Sequence, residues 1–342
     1  MSAPASFSLL YFGQPLLDIS AKVSVKVLKQ YGLNSNDMIL ADESHQPLYK
    51  EVQDHRNVTY LAGGSCQNSA RGSQWLLPAN STCYVGCVGR DDAAKKLREA
   101  AHADGLRVEF VVDESLPTGK CAVLITGQDR SMAASKMSAT TLESNEIWSL
   151  VENAQIFYTV GFLLKGSHDA IMKVAEYSSA NNKVFAFNLS APFLPEVFRE
   201  ELAQVIPHCD YLFANNLKTS SIRDIAMHLA KIPRANASSR PRTVIITQGP
   251  DPVIVATLHG VKSYIVPQVR FSDIVDTNGA GDGFCGGYLA ALAVGKSTRL
   301  CVRSGLFVAG EILKQEGATY PKTAPHSKPW DEFSIEGCCS LQ

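Results

Sequence analysis

Apolar residues along this chain fall into short runs rich in β-branched and aromatic side chains, separated by longer stretches in which they recur every three or four positions. The short runs at 7–13, 82–88, 121–126, 155–160, 183–188, 211–214 and 243–247 predict strands. The periodic stretches at 91–103, 169–181, 195–206 and 222–231 predict helices. Their alternation predicts an α/β fold, with a mainly parallel sheet covered by helices. Right-handed crossovers then place the carboxyl ends of the strands, and with them a ligand cleft, along one edge.

Two regions break the rhythm. Residues 15–62 and 107–140 contain short alternating pieces, at 21–27 and 107–112, which predict a smaller sheet inserted twice into a large domain made of 1–14, 63–106 and 141–342. Such an insertion makes a cover with a cleft beneath it. In the C-terminal third, a run at 261–266 leads to Asp276-Thr-Asn-Gly-Ala-Gly-Asp282 and then to an apolar stretch of small residues at 283–294. That stretch predicts a tightly buried helix, with a second helix at 298–314 packed beside it. The chain shows no internal repeat and no low-complexity linker.

Composition narrows the function. The 342 residues carry 32 Lys and Arg against 33 Asp and Glu, and no long basic run, which argues against a nucleic-acid surface. No run of 18 apolar residues predicts a membrane span, and the N-terminal segment, lacking a basic stretch, reads as a first strand rather than a signal peptide. The nine cysteines, at 66, 83, 87, 121, 209, 285, 301, 338 and 339, are odd in number and form no CxxC pair. They predict neither a disulfide frame nor a zinc cluster, but small buried side chains in a reducing cytoplasm, with Cys338 and Cys339 exposed. The nucleus remains open to such a protein as well.

The chemistry concentrates at 276–282. Gly279, Ala280 and Gly281 lead directly into a helix, so backbone N–H groups converge at its positive end and form a cradle for an anion. Asp282 stands in the first turn. It serves there either as a helix-terminal charge or as a base that accepts a hydroxyl proton while the oxygen attacks a nucleotide's terminal phosphorus. The chain lacks both the P-loop pattern and the protein-kinase set of motifs, so phosphoryl transfer would need another scaffold.

Asp276-Thr-Asn-Gly-Ala-Gly-Asp282 resembles the C-terminal signature of the ribokinase-like sugar and nucleoside kinases, and Ala62-Gly-Gly-Ser-Cys-Gln-Asn-Ser69 resembles their N-terminal substrate signature. Together with Gln14-Pro-Leu-Leu-Asp18 and Asn188-Leu-Ser-Ala-Pro-Phe193, the wording is most similar to the adenosine-phosphorylating branch, in family order over nearly the whole chain. The resemblance implies a three-layer αβα domain with a small β-sheet lid, adenosine and ATP as substrates, Mg2+ as the accompanying ion, a monomer, and a role in purine salvage.

It also implies residue roles. Asp18 would grip the ribose hydroxyls, with Gly63, Gly64 and Asn68 completing that site and Ser65 near the base. Gln14, Met132, Phe162 and Phe193 would line the nucleoside pocket. Asp282 would be the general base, Arg130 a lid arginine reaching the phosphates, and Asn215, Thr247, Gly249, Gly279 and Gly281 would contact the nucleotide. Each position has a plainer reading from the residues alone: Asp18 as a turn residue, Gly63-Gly64 as a hinge, Asn68 as a helix cap, Arg130 as a solvated loop charge, and the two phenylalanines as core.

The chain departs from the family wording in four places. Gln14 replaces a usual Asn, Lys136 stands where an aliphatic side chain covers the base, Lys218 replaces the Glu of an Asn-x-x-Glu motif, and Leu306 stands where His is frequent. A lysine cannot replace a carboxylate in a hydrated Mg2+ shell. Two alternatives follow: a nucleoside kinase of altered base preference, or a catalytically weak nucleoside-binding regulatory protein.

Overall fold

A computed structural model describes residues 7–35, 37–127, 129–135, 142, 144–215, 221–235 and 240–331. Lys136, Lys218, Cys338 and Cys339 lie outside them. A nine-stranded sheet runs in the spatial order Gly260–Tyr264, Asp251–Thr257, Thr243–Gln248, Tyr211–Asn215, Val184–Asn188, Ile156–Val160, Leu9–Gly13, Thr82–Gly89, Arg107–Asp113. From Thr243–Gln248 onward to the Arg107–Asp113 edge, neighbours are parallel; the last three strands at the other edge form an antiparallel meander.

Strand alternation divides the core into two layers. Leu10 and Phe12 point into one cluster with Phe157, Phe185 and Phe187, while Leu9 and Tyr11 point into the other with Tyr158, Phe284 and Tyr288. Successive side chains on a strand must face opposite ways, so a fully apolar strand requires a helix layer on each face. The first layer includes Leu164–Ala180 and Ile222–Lys231, and the second includes Ser65–Leu76, Ala280–Ala293 and Thr298–Ile312. Within the second layer, helix backbones touch. A Cβ built on Gly286 would lie 2.5 Å from the Ser69 carbonyl oxygen, and one on Gly287 2.4 Å from that of Ser304.

The small sheet has the order Met38–Leu40, Asp129–Ala134, Lys120–Thr126, Leu16–Lys22, Thr59–Gly63. One face, with Ile19, Ala21, Ala122 and Leu124, packs on Leu28, Leu48, Tyr49 and Val52 of two short helices. Alternation sends Asp18 to the other face, beside its register partner Cys121; Leu16 and Met132 pack there with Cys121, Val123 and Ala134.

Three expectations need correction. Residues 107–113, assigned to the insertion, pair with Thr82–Gly89 and form the edge of the large sheet; their mostly partial burial is that of an edge strand. The stretch 21–27 is not one strand: Leu16–Lys22 ends and the helix Val25–Gln30 begins. The helix at 195–206 is two, Leu194–Val197 and Arg199–Val205, broken at Phe198. The seven described cysteines are buried free thiols, as expected, and no described helix is long and apolar enough to cross a membrane.

Candidate active site

The chain passes between the two sheets where strand Leu9–Gly13 gives way to Leu16–Lys22, and again where Thr59–Gly63 gives way to the helix Ser65–Leu76. Both passages need small residues. Gly64, the helix N-cap, has φ +91°, and a Cβ there would sit 2.6 Å from the Gln14 carbonyl oxygen. A Cβ on Gly63 would lie 2.3 Å from the Asp18 carboxylate. The hinge thus presses backbone directly onto a buried acid.

The helix Ala280–Ala293 enters from the other side. Gly279, its N-cap, has φ +79° and touches Ala318: a built Cβ would be 2.4 Å from the Ala318 Cβ. The amides of the first turn have no intrahelical acceptor, so they and the helix dipole favour an anion there. The Ala280 N–H makes a long contact of 3.4 Å to the Thr277 carbonyl. Beside Gly281 stands Asn215, whose amide nitrogen would be 4.0 Å from a Cβ on that glycine.

Asp282 projects back to the hinge helix. Its Oδ1 accepts from Ser65 Oγ at 2.6 Å and its Oδ2 from Asn68 Nδ2 at 2.9 Å. Burial pushes its carboxyl up to about 6, against the pull of those two hydrogen bonds. Asp18 goes further, to about 7, through burial and the nearby charge of Asp282, with Arg71 acting in the opposite sense. Two neighbouring acids that burial keeps from ionising easily, at the mouth of an amide-lined turn, are suited to accepting hydroxyl protons near neutral pH.

Arg130, on the small-sheet strand Asp129–Ala134, reaches across to the large domain and pairs its Nε with Asp276 Oδ1 at 2.6 Å. Asp276 is fully engaged. The same Oδ1 accepts from Asn278 N at 2.9 Å, and Oδ2 accepts from Gly317 N at 2.8 Å. Thr247, one residue before the end of its strand, is in register with Asn215, and Gly249 turns with φ +62° and nothing within 4 Å of a built Cβ. The half-buried rings of Phe162 and Phe193 lie 6.5 Å apart at 55°.

Of the residues read from the sequence, the structure gathers Asp18, Gly63, Gly64, Ser65, Asn68, Gly279, Gly281, Asp282 and Asn215 through these contacts. Two have occupations the resemblance does not suggest. Ser65, expected beside a nucleobase, gives its hydroxyl hydrogen to Asp282, and Arg130 is paired with Asp276. Gln14 Oε1 and Asn68 Oδ1 are buried with no protein partner. Met132 packs on the inner face of the small sheet.

Sequence reasoning missed Arg71, the single charged side chain in an otherwise uncharged helix; a lone charge in such a helix was the available signal. It also missed Ser190, held at φ +64°, whose hydroxyl accepts from Gly161 N at 3.1 Å just ahead of Phe162. It lies inside the Asn188–Phe193 stretch already singled out, so that motif was the available signal.

The profile of the pfkB family carbohydrate kinases matches residues 28–325, and the chain belongs to this family. Among curated relatives it is similar to adenosine kinase 1 of Arabidopsis thaliana, 39% identical over 92% of this chain and 96% of the relative. The adenosine kinase of Schizosaccharomyces pombe is 39% identical over 93% and 97%. Among solved structures, Anopheles gambiae adenosine kinase in complex with P1,P4-di(adenosine-5) tetraphosphate superposes with a TM-score of 0.86, at 37% identity over 92% of this chain and 98% of that one. Schistosoma mansoni adenosine kinase in complex with adenosine and AMP gives 0.85 at 30% identity, over 93% and 98%.

Proposed function

We propose that the protein transfers the γ-phosphoryl group of ATP to the 5'-hydroxyl of adenosine, giving AMP and ADP. The observation that carries this reading is Asp282: a carboxylate raised to about 6, in the first turn of a glycine-led helix, within hydrogen-bond reach of the hinge helix that carries the substrate signature. The near-full-length kinship with adenosine kinases names the substrate.

In this mechanism Asp18 and Asn68 Oδ1 accept from ribose hydroxyls, and Gly63-Gly64 lets the sugar approach the backbone. The 5'-oxygen bonds to the γ-phosphorus, the bond to the β,γ-bridging oxygen breaks, and the hydroxyl proton passes to Asp282. The amides of Gly279–Gly281 and the Arg130 guanidinium meet the charge on the transferring group. Positioning by two rigid elements supplies much of the rate. Asn215, Thr247 and Gly249 stand on the nucleotide side. A Mg2+ ion accompanying ATP would be held largely through phosphate and water oxygens. Such an ion would neutralise phosphate charge.

Purified protein with ATP, Mg2+ and a panel of adenosine, inosine, guanosine and cytidine, read by mass detection of products, tests the reading. AMP from adenosine is expected, and no AMP from the wild-type protein refutes it. One observation favours a second reading, altered base preference: Gln14, longer by a methylene than the usual Asn, leaves its Oε1 buried and unpartnered. A faster reaction with another nucleoside selects it.

A further inference from the structure

Arg71 is a buried arginine with three anchors in three parts of the fold. It lies on the hinge helix Ser65–Leu76 and is 5% exposed. Its Nε pairs with Asp104, which caps the helix Asp92–Ala103. Its Nη1 donates to the Ala62 carbonyl at 3.2 Å and to the Ala318 carbonyl at 2.9 Å. Its guanidinium lies over the Tyr320 ring, 5.5 Å from the centroid.

The two carbonyls are not arbitrary. Ala62 is the residue before Gly63-Gly64, where the small sheet joins the large domain. Ala318 is the residue against which Gly279 packs, with 2.4 Å between its Cβ and a Cβ built on that glycine. The residues around Ala318 extend the same connection: Gly317 N donates to Asp276, and Tyr320 Oη donates to the Asn68 carbonyl at 2.7 Å. One planar fork therefore ties the backbone that cradles one substrate to the segment that backs the cradle for the other.

We propose that Arg71 is a positioning residue for phosphoryl transfer, fixing the separation between the Gly63-Gly64 hinge and the Gly279 turn. A lysine could supply the charge but not the fork, because an ammonium on a flexible stem has no second, fixed nitrogen to hold Asp104 while the first holds both carbonyls. The charged and titratable groups acting on Asp18 are Asp282, which raises its carboxyl, and Arg71, which lowers it, with the thiol of Cys121 beside it. Loss of the arginine removes an opposing charge.

This inference deepens the adenosine kinase reading, and its test separates the two. Arg71→Met and Arg71→Lys are compared with wild type by thermal melting, by kcat and KM for adenosine phosphorylation, and by 13C titration of the Asp18 carboxyl without any ligand. Displacement of a reacting pair by around 1 Å costs up to about a hundred-fold, so kcat is expected to fall about ten-fold or more in both variants. The Asp18 midpoint is expected to rise by about half a unit or more in the Met variant and to stay near wild type in the Lys variant, since a nearby opposite charge sets it. A merely structural arginine would change the melting temperature alone.

Wild-type kcat in Arg71→Lys overturns the positioning role even where Arg71→Met does not fold. An unmoved Asp18 midpoint in a folded Arg71→Met overturns the electrostatic role. Wild-type protein that makes no AMP refutes the kinase reading instead, while the ligand-free titration still supports or overturns the role of the Arg71 charge.

Discussion

Replacing Asp282 by Asn should make the protein more stable and nearly inactive. The carboxyl has a folded-state value of about 6 against an ordinary 3.8. A gap of about 2 units at about 1.4 kcal/mol each is roughly 3 kcal/mol of folding free energy that the charged side chain withholds. Because burial disfavours the anion, the native protein holds this proton more tightly than the unfolded chain does. The associated stability is fully present below about pH 4 and is lost as the pH rises through about 6. An amide never ionises and loses nothing over that interval.

The local bonds also survive the change. Ser65 Oγ still finds an oxygen at position 282, and Asn68 can rotate its amide to offer the Oδ1 that has no partner now. Imperfect re-pairing trims the gain, so about 1–3 kcal/mol should remain at pH 8, or a few degrees in melting temperature at about 2 °C per kcal/mol for a chain of this size. Relief of the Asp18 carboxyl, which Asp282 pushes upward, acts in the same direction. Ligand-free melts of both proteins from pH 5 to 8.5 measure the difference, and AMP formation measures the loss, expected at about a hundred- to ten-thousand-fold for a general base. An Asn variant that melts below wild type at pH 8, or an advantage that shrinks as pH rises, would refute the assignment of a destabilising buried charge. Unimpaired turnover would refute the base.

Four other substitutions probe the surroundings. Gly279→Ala places a Cβ 2.4 Å from that of Ala318 at a φ of +79°; melting should report about 1–3 kcal/mol of lost stability, with turnover falling further, and an unaffected melt would contradict the packing. Gly63→Ala drives a Cβ into the Asp18 carboxylate, 2.3 Å away, so steady-state kinetics should show KM for adenosine rising about ten-fold, a cost of about 1.4 kcal/mol, while KM for ATP holds. Asp276→Asn and Arg130→Gln form a contrasting pair. The first breaks a buried ion pair and should cost about 2 kcal/mol or more in a melt without raising KM for ATP, whereas the second should raise that KM and lower kcat. Equal effects of the two on KM would mean that Arg130 acts only through Asp276.

Much of this architecture is legible in the sequence because parallel strands buried on both faces announce themselves as apolar runs. Where burial is partial or polar, the pattern fails. Arg107–Asp113 looks like part of a small sheet because its first residues, Arg-Val-Glu-Phe, alternate polar and apolar as a half-buried strand does. Asp251–Thr257 begins with Asp and Pro, which reads as a turn, although at an exposed strand start a proline is tolerated. The hinge helix Ser65–Leu76 shows no apolar stripe at all: it is buried nearly all round with Gln67, Asn68, Ser69, Arg71, Ser73 and Gln74 inside. The site residues follow the same division. Glycines and acids in a compact turn can be read locally, whereas the Arg130–Asp276 pair and the three anchors of Arg71 join segments that only the fold brings together.

The polar groups of this cleft sort by hydrogen-bonding sense, and that sorting carries information about what enters it. On the hinge side Ser65 Oγ and Asn68 Nδ2 spend their hydrogens on Asp282, and the groups left to meet a ligand are acceptors: the Asp18 carboxylate, Asn68 Oδ1 and Gln14 Oε1, the last two oxygens buried and unpartnered. A buried acceptor without a donor costs about 1–3 kcal/mol, a cost that a ligand bearing several hydroxyls removes and an anion does not. On the turn side the groups are donors, namely the first-turn amides after Gly279 and the Arg130 guanidinium, which suit phosphate oxygens and repel hydroxyl hydrogens no less than they attract charge. Asp282 stands on the boundary, fixed by hinge-side donors yet rooted in the turn-side helix. A polyhydroxylated acceptor and a phosphorylated donor would therefore meet at one carboxylate. Exchanging the sense of either side, as Asp18→Lys would, should abolish nucleoside binding in a calorimeter while leaving ATP binding measurable; retained nucleoside affinity in that variant would show that the hinge-side acceptors do not select the hydroxyls.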